Sequence, residues 1–185
     1  ENLDKDCAGV CFGPNYNDEC ETCDDNAYND CREFIMPLNT GQNLISLYDL
    51  PEDVSITNVF SSLETATGVI GEGIGSAKLP NGQWVGSLTT ISHYDGYWIQ
   101  LLYPDTLKFI GVPTPPDINY DLHLGANLIS FPSPGFVNIG EGLPDEVEEH
   151  FSGIIGQGLA ATNFNRIWLG SLQSFSGGNG YWVKV

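Results

Sequence analysis

The sequence predicts a β-rich (α+β) protein: two tandem homologous small β domains, each with one short helix, preceded by a disulfide-stapled acidic segment. Three observations predict it. Four ordered blocks of sequence recur at nearly one spacing, the 185 residues include 22 Gly and 11 Pro, and all five cysteines precede Arg32. A chain so crowded with turn formers favours many short strands over a helical bundle. Recurring blocks mark a duplicated unit. Cysteines concentrated where apolar residues are scarce read as staples formed in an oxidising environment. The expected division is a Cys-rich acidic segment over 1–33, a first repeat over 34–112, a Pro-rich linker over 113–121 and a second repeat over 122–185.

Residues 1–33 carry ten carboxylates, from Glu1 to Glu33, opposed only by Lys5 and Arg32. Cys7, Cys11, Cys20, Cys23 and Cys31 are an odd set, so one thiol is left over or reaches another chain, and spacing does not choose among the internal pairings. Cys20 and Cys23 have the gap of a zinc knuckle, but a disulfide framework suits the segment better. Hard cations take several oxygens from a loop. Asp18, Asp24, Asp25, Asn26 and Asp30 are therefore candidate calcium ligands, although no EF-hand pattern closes around them. The alternative is a solvated acidic turn held by disulfides alone. No organic cofactor is expected.

The duplication organises the rest. Leu38–Leu47 matches Leu122–Phe131 at an offset of 84, and Trp84–Leu88 matches Trp168–Leu172 at the same offset. Gly96–Leu101 matches Gly180–Val185 likewise, while Val69–Gly73 matches Ile154–Gly158 at an offset of 85. Within a copy, Asn-Leu-Ile-Ser reads as a buried strand entered from a Gly turn. Ile56–Leu63 and Pro144–Phe151 read as the short helices, the second with acidic residues in its first turn. The Val-Ile-Gly-Glu-Gly, Trp-containing and Gly-Tyr-Trp blocks read as strands, with Pro80-Asn81-Gly82 as a tight hairpin turn. Leu107–Val112 should add a strand to the first copy, whose counterpart would lie past Val185. Either the natural chain continues or another segment fills that place. Pro113-Thr114-Pro115-Pro116 should be a stiff, extended connector.

Trp84, Trp98, Trp168 and Trp182 admit two readings. Strand side chains alternate, so one member of each Tyr-Trp pair should face the core and the other outwards; the outward set is a candidate glycan-stacking platform. The Gly before each Tyr-Trp pair is expected to be a turn residue. No nucleophile–base constellation is apparent: His93, His123 and His150 do not recur between copies, and Gly71–Gly75 lacks the Lys-Ser/Thr of a phosphate loop. No enzymatic activity is expected.

Charge narrows the partners. With 24 acidic and 6 basic residues the formal net charge is −18, which repels nucleic acid and anionic membrane surfaces. No apolar run is long enough for membrane insertion as a helix. The chain opens at Glu1 without a basic and apolar leader, so a mature product is expected.

Asp6-Cys7-Ala8-Gly9-Val10-Cys11, followed by Cys20 and Cys23 within Asp18–Cys23, resembles the DCAGVCGG…DECGVC cysteine-rich repeats of large secreted or surface proteins of marine and environmental bacteria. It departs in having Phe12 where those repeats have Gly, and Glu21-Thr22 for Gly-Val. The two copies are similar to GWNLIS…GYWVK modules from the same kind of protein, with Gln42 and Ala126 in place of Trp. The resemblance implies a secreted, extracellular or cell-surface location. The duplicated domains, the unfilled last strand, the odd cysteine and the lack of a catalytic set lead to the expectation of a non-enzymatic structural subunit, a homo-oligomer or polymer such as a filament, with a glycan-binding adhesion module using the Trp and Tyr residues as the alternative.

Overall fold

The computed structural model describes residues 4–26, 29–115 and 117–185. Glu1 and Pro116, both invoked above, lie outside the described residues. The chain is strand-rich, as its turn content predicts, and all its named strand pairs are antiparallel.

Among its described residues the N-terminal arm has no apolar interior of its own. Its ladder of β1 (Tyr16–Asn17) against β2 (Cys23–Asp24) is two residues long, and Val10, Phe12 and Tyr16 are exposed. Disulfides Cys7–Cys23 and Cys20–Cys31 close it, leaving Cys11 as an exposed free thiol. A segment that cannot bury a core depends on such staples, and each loop closure of this size contributes about 3 kcal/mol in the chain-entropy picture.

The first repeat is a sandwich of two sheets. Strands β3 (Arg32–Leu38), β4 (Gly41–Ser46) and β5 (Asp49–Leu50) lead into a one-turn helix α1 (Ile56–Val59). Ser55 caps that helix, its Oγ accepting from Asn58 N–H. Next come β6 (Ala66–Ile70), β7 (Gly75–Lys78), β8 (Trp84–Gly86), β9 (Gly96–Leu101) and β10 (Asp105–Pro113). One sheet has the order β4-β9-β6-β7-β8 and the other β3-β10-β5. Phe34, Leu38 and Leu107 from the second sheet close over Leu47, Phe60, Val69 and Ile99. The strand expected at Leu107–Val112 is thus present and longer. Its partner β3 was not expected, since Pro37 and the charged Arg32 and Glu33 disguise it. As an edge strand β3 tolerates proline, whose missing N–H leaves no ladder bond unmade.

The second repeat repeats the first sheet: β11 (Ala126–Ile129), β12 (Phe136–Asn138), α2 (Ile139–Gly142), α3 (Asp145–Glu148), β13 (Gly153–Gly156), β14 (Leu159–Phe164), β15 (Ile167–Gly170), β16 (Ser174–Ser176) and β17 (Tyr181–Lys184). Its main sheet has the order β11-β17-β13-β14-β15, with β12–β16 as a separate pair. Two one-turn helices replace the single helix expected. The one equivalent to α1 is α2, hidden in sequence by Gly140 and Gly142, both poor helix formers. The acidic helix α3 covers only part of Pro144–Phe151. No sheet equivalent to β3-β10-β5 covers this core among the described residues.

Asn81-Gly82 turns the chain between β7 and β8 as expected, with Gly82 at φ 86°. The connector is pinned rather than free-standing. Pro113 ends β10, buried Thr114 donates its N–H to the Tyr48 carbonyl, and the Tyr120 hydroxyl bonds Ser130.

Candidate functional site

Several of the residues that recur between the copies converge on one place, the seam where β4 of the first repeat and β11 of the second would otherwise be open sheet edges. Each position of Asn-Leu-Ile-Ser has a separate task. Asn43 and Asn127 are buried, and each pins the turn before it. Asn43 Oδ1 accepts from Asn39 N–H, and its Nδ2 donates to the Asn39 and Gly41 carbonyls. Asn127 makes the same three bonds with His123 and Gly125. Ile45 belongs to the first core and Ile129 packs on the second. Leu44 and Leu128 are each 2% exposed yet lie in neither core. They face the opposite repeat, where Leu44 Cδ1 comes beside Gly180 and Leu128 Cδ1 beside Gly96.

The backbone contacts are reciprocal. Ser46 N–H donates to the Gly178 carbonyl at 3.0 Å, and Ser130 N–H to the Tyr94 carbonyl at 3.0 Å. Ile45 bridges Asn179, and Ile129 bridges Asp95. Leu44 N–H donates to Gln157 Oε1 at 2.8 Å, and Leu128 N–H to Glu72 Oε2 at 2.7 Å. Gln157 and Glu72 are equivalent positions at the tips of the β13–β14 and β6–β7 turns. The seam is therefore a pseudo-twofold interface inside one chain, with the geometry of an isologous dimer. It satisfies the edge N–H groups that would otherwise template pairing with other chains.

This corrects the reading of the Gly before each Tyr-Trp pair. Neither Gly96 nor Gly180 has a positive φ. A Cβ on Gly96 would lie 2.9 Å from the Ile129 carbonyl oxygen, and one on Gly180 would lie 2.7 Å from that of Ile45. Glycine is needed for backbone approach across the seam, not for a turn.

Tyr97 and Tyr181 are buried, and their hydroxyls accept from Ser92 and Ser176 N–H. Burial, above all, pushes the Tyr97 phenol far up from its usual pKa. Trp98 and Trp182 face out and are half-buried, so the alternation expected within each Tyr-Trp pair holds. The four tryptophans do not form one platform. Trp84 packs on the first core against Phe60, with Lys78 over its ring. Trp168 packs on the second core, its Nε1–H donating to Glu148 at 2.6 Å. Trp98 lines a shallow groove of about 380 Å³ on the outer face of the first sheet. Ile70 and Val85 wall it, Gly68 of β6 and Ala77 of β7 line it with small residues, and Gln42 donates to Gln100 at 3.0 Å. At the matching positions the second repeat has Ala126 and Lys184.

One side of the seam opens as a groove of about 630 Å³ lined by Glu72, Tyr94, Asp95, Tyr120, Asp121 and His123. His123 Nε2 meets Glu72 Oε1 at 2.5 Å. The Leu124 carbonyl first, and Glu72 second, raise the His123 pKa. Burial lowers that of nearby His93, raises that of Asp95 and pushes Tyr120 up to about 12. Two of the three histidines thus meet at the seam, which their sequence contexts did not indicate. Among the described residues no hydroxyl or thiol is hydrogen-bonded to an imidazole nitrogen.

Of the five candidate calcium ligands, Asp18, Asp24 and Asp30 accept hydrogen bonds from within the arm. Asp18 accepts from the N–H groups of Cys20, Thr22 and Cys31, and these bonds, led by Cys31, hold its carboxyl below the usual range. Asp24 accepts from Asn26 N–H and Asn29 Nδ2. Asp30 accepts from the Tyr16 hydroxyl, while Asp25 and Asn26 are exposed. The one cluster of three side chains of metal-binding type found among the described residues is Asp18, Cys20 and Cys31. Its two sulfurs are spent on their disulfide.

The arrangement defines a class: a duplicated, strand-rich, disulfide-stapled protein whose recurrent residues build an internal interface. Two disulfides fit an oxidising, non-cytoplasmic compartment, and no described helix is long and apolar enough to cross a membrane. No family model, curated protein or solved structure matches the chain.

Proposed function

We propose that this chain is a non-enzymatic, secreted structural protein that self-assembles into filaments at or beyond the cell surface. The supporting observation is where its recurrent residues go. They lock two repeats into one block and protect its sheet edges, as suits a building unit. The stapled arm projects the exposed Cys11, a candidate for disulfide linkage between subunits, and its surplus carboxylates make calcium a stiffening counter-ion in this proposal. Light scattering and electron microscopy of oxidised protein at physiological salt, with and without calcium, test the reading. Oligomers or fibres are expected; monomers under every condition would overturn it. Non-reducing gels test the thiol link: dimers absent from Cys11→Ser but present in the wild type are expected.

A second reading rests on the Trp98 groove. An indole face beside two side-chain amides, with no charged group lining the groove, suits a neutral glycan. Glycan-array binding lost in Trp98→Ala but kept in Trp182→Ala would favour it.

A further inference from the structure

The two repeats contain the same core positions, and the structure covers only one set. Leu47 and Phe60 of the first repeat are 0% exposed, and Leu38 and Leu101 are 5% and 2% exposed. Their counterparts Phe131, Leu143, Leu122 and Val185 are half-buried, and Val147, the counterpart of Ser62, whose hydroxyl accepts from Lys108 N–H of β10, is 39% exposed. The difference is the β3–β10 ribbon with β5, which lies over the first core and has no equivalent over the second.

That ribbon has a second apolar face. Phe34, Leu38 and Leu107 point into the first core, whereas Ile35, Ile110 and Val112 on the opposite side are 49%, 48% and 37% exposed. Strand alternation puts Lys108 on this outer face, paired with Ile35, and Glu33, paired with Ile110. The rim of the uncovered core carries Asp145, Glu146 and Glu149 from α3 and the turn after it, so Lys108 matches it in charge.

We propose that the outer face of the β3–β10 ribbon of one copy covers the open core face of the second repeat of the next copy. The ribbon would then lie between two cores, one in its own chain and one in a neighbour. The contact is heterologous, joining different surfaces, so it need not close after two subunits and generates an open polymer when the rotation does not close. A sheet laid on such a face is the packing already present in the first repeat. Repulsion between chains of net charge −18 opposes the contact, and salt relieves it, since screening acts over about 8 Å at physiological ionic strength. The proposal rests on the self-assembly reading and specifies its contact.

The test uses the full chain with Cys11→Ser, so that disulfide linkage does not contribute. Ile110→Asp places a charge on the ribbon face, and Val147→Asp places one on the open face. Both side chains are exposed, and unchanged near-ultraviolet circular dichroism checks that each variant folds. Each variant alone should lose every species above monomer in light scattering. An equimolar mixture should regain a species of twice the monomer mass and stop there, because only one competent pair of faces remains. Assembly of either variant as in the parent would mean that something other than a second copy covers the face, and would overturn the proposal while leaving self-assembly standing. A mixture that stays monomeric would overturn it too. A parent protein that never assembles would overturn both.

Discussion

At Gly96 and Gly180 one added carbon would fall inside van der Waals contact of a carbonyl across the seam. Gly96→Ala and Gly180→Ala are therefore expected to cost about 1–3 kcal/mol each, the usual penalty of overpacking. The loss should appear as a lower urea midpoint. Other residues hold backbone that glycine would hold more easily. Arg166 follows Asn165 in the β14–β15 turn at φ 64°, the left-handed region a hairpin of this kind requires. Its contact with Glu149, at 3.4 Å and exposed on both sides, is worth little. Arg166→Gly should stabilise the protein by about 1 kcal/mol in urea unfolding. Phe12 and Glu21 lie in the same left-handed region, at φ 53° and 61°. Phe12→Gly and Glu21→Gly should slow amide hydrogen exchange in the arm.

At the scale of elements, the seam carries a pH dependence of known sign. His123 has a folded pKa raised above its ordinary value, so its contribution is full below about pH 6.5 and fades as pH rises through the raised value. Asp95 and Asp121 line the same groove. The thermal midpoint of the wild type should therefore exceed that of Glu72→Gln by more at pH 5.5 than at pH 8.5; equal differences at both would refute the link.

The strands of the repeated blocks were legible because identical words recur in order, and the Asn81-Gly82 hairpin because its φ demand is local. What the recurrent Leu and Gly touch was not legible, since Leu44 meets Gly180 and Leu128 meets Gly96 only once the chain has folded back on itself. Strand β3 was masked by Pro37, which only an edge position excuses, and α2 by two glycines. The stapled arm was readable from composition, but its pairing was not, because spacing permits many connectivities. The candidate calcium ligands illustrate the limit: acidic composition marks them, yet Asp18 spends its oxygens on three backbone amides.

Across the whole molecule, staples and core are separate devices. The paired cysteines all lie at or before Cys31, whereas all four tryptophans sit in the repeats. Reductant should release the arm and leave the tryptophan fluorescence melt nearly unshifted; loss of that melt would show that the body depends on its staples. The linker that joins the repeats also holds each at a high effective concentration for the other, so their association does not depend on protein concentration. It has one more consequence. Two separate, identical subunits meeting across a twofold axis must present the same residue at both ends of the contact, and every mutation there strikes twice. Within one chain the halves can be edited one at a time. Here Glu72 faces His123 at one end, while the other end has Gln157 and Asn39 in those places, so a proton-sensitive clasp exists on one side only.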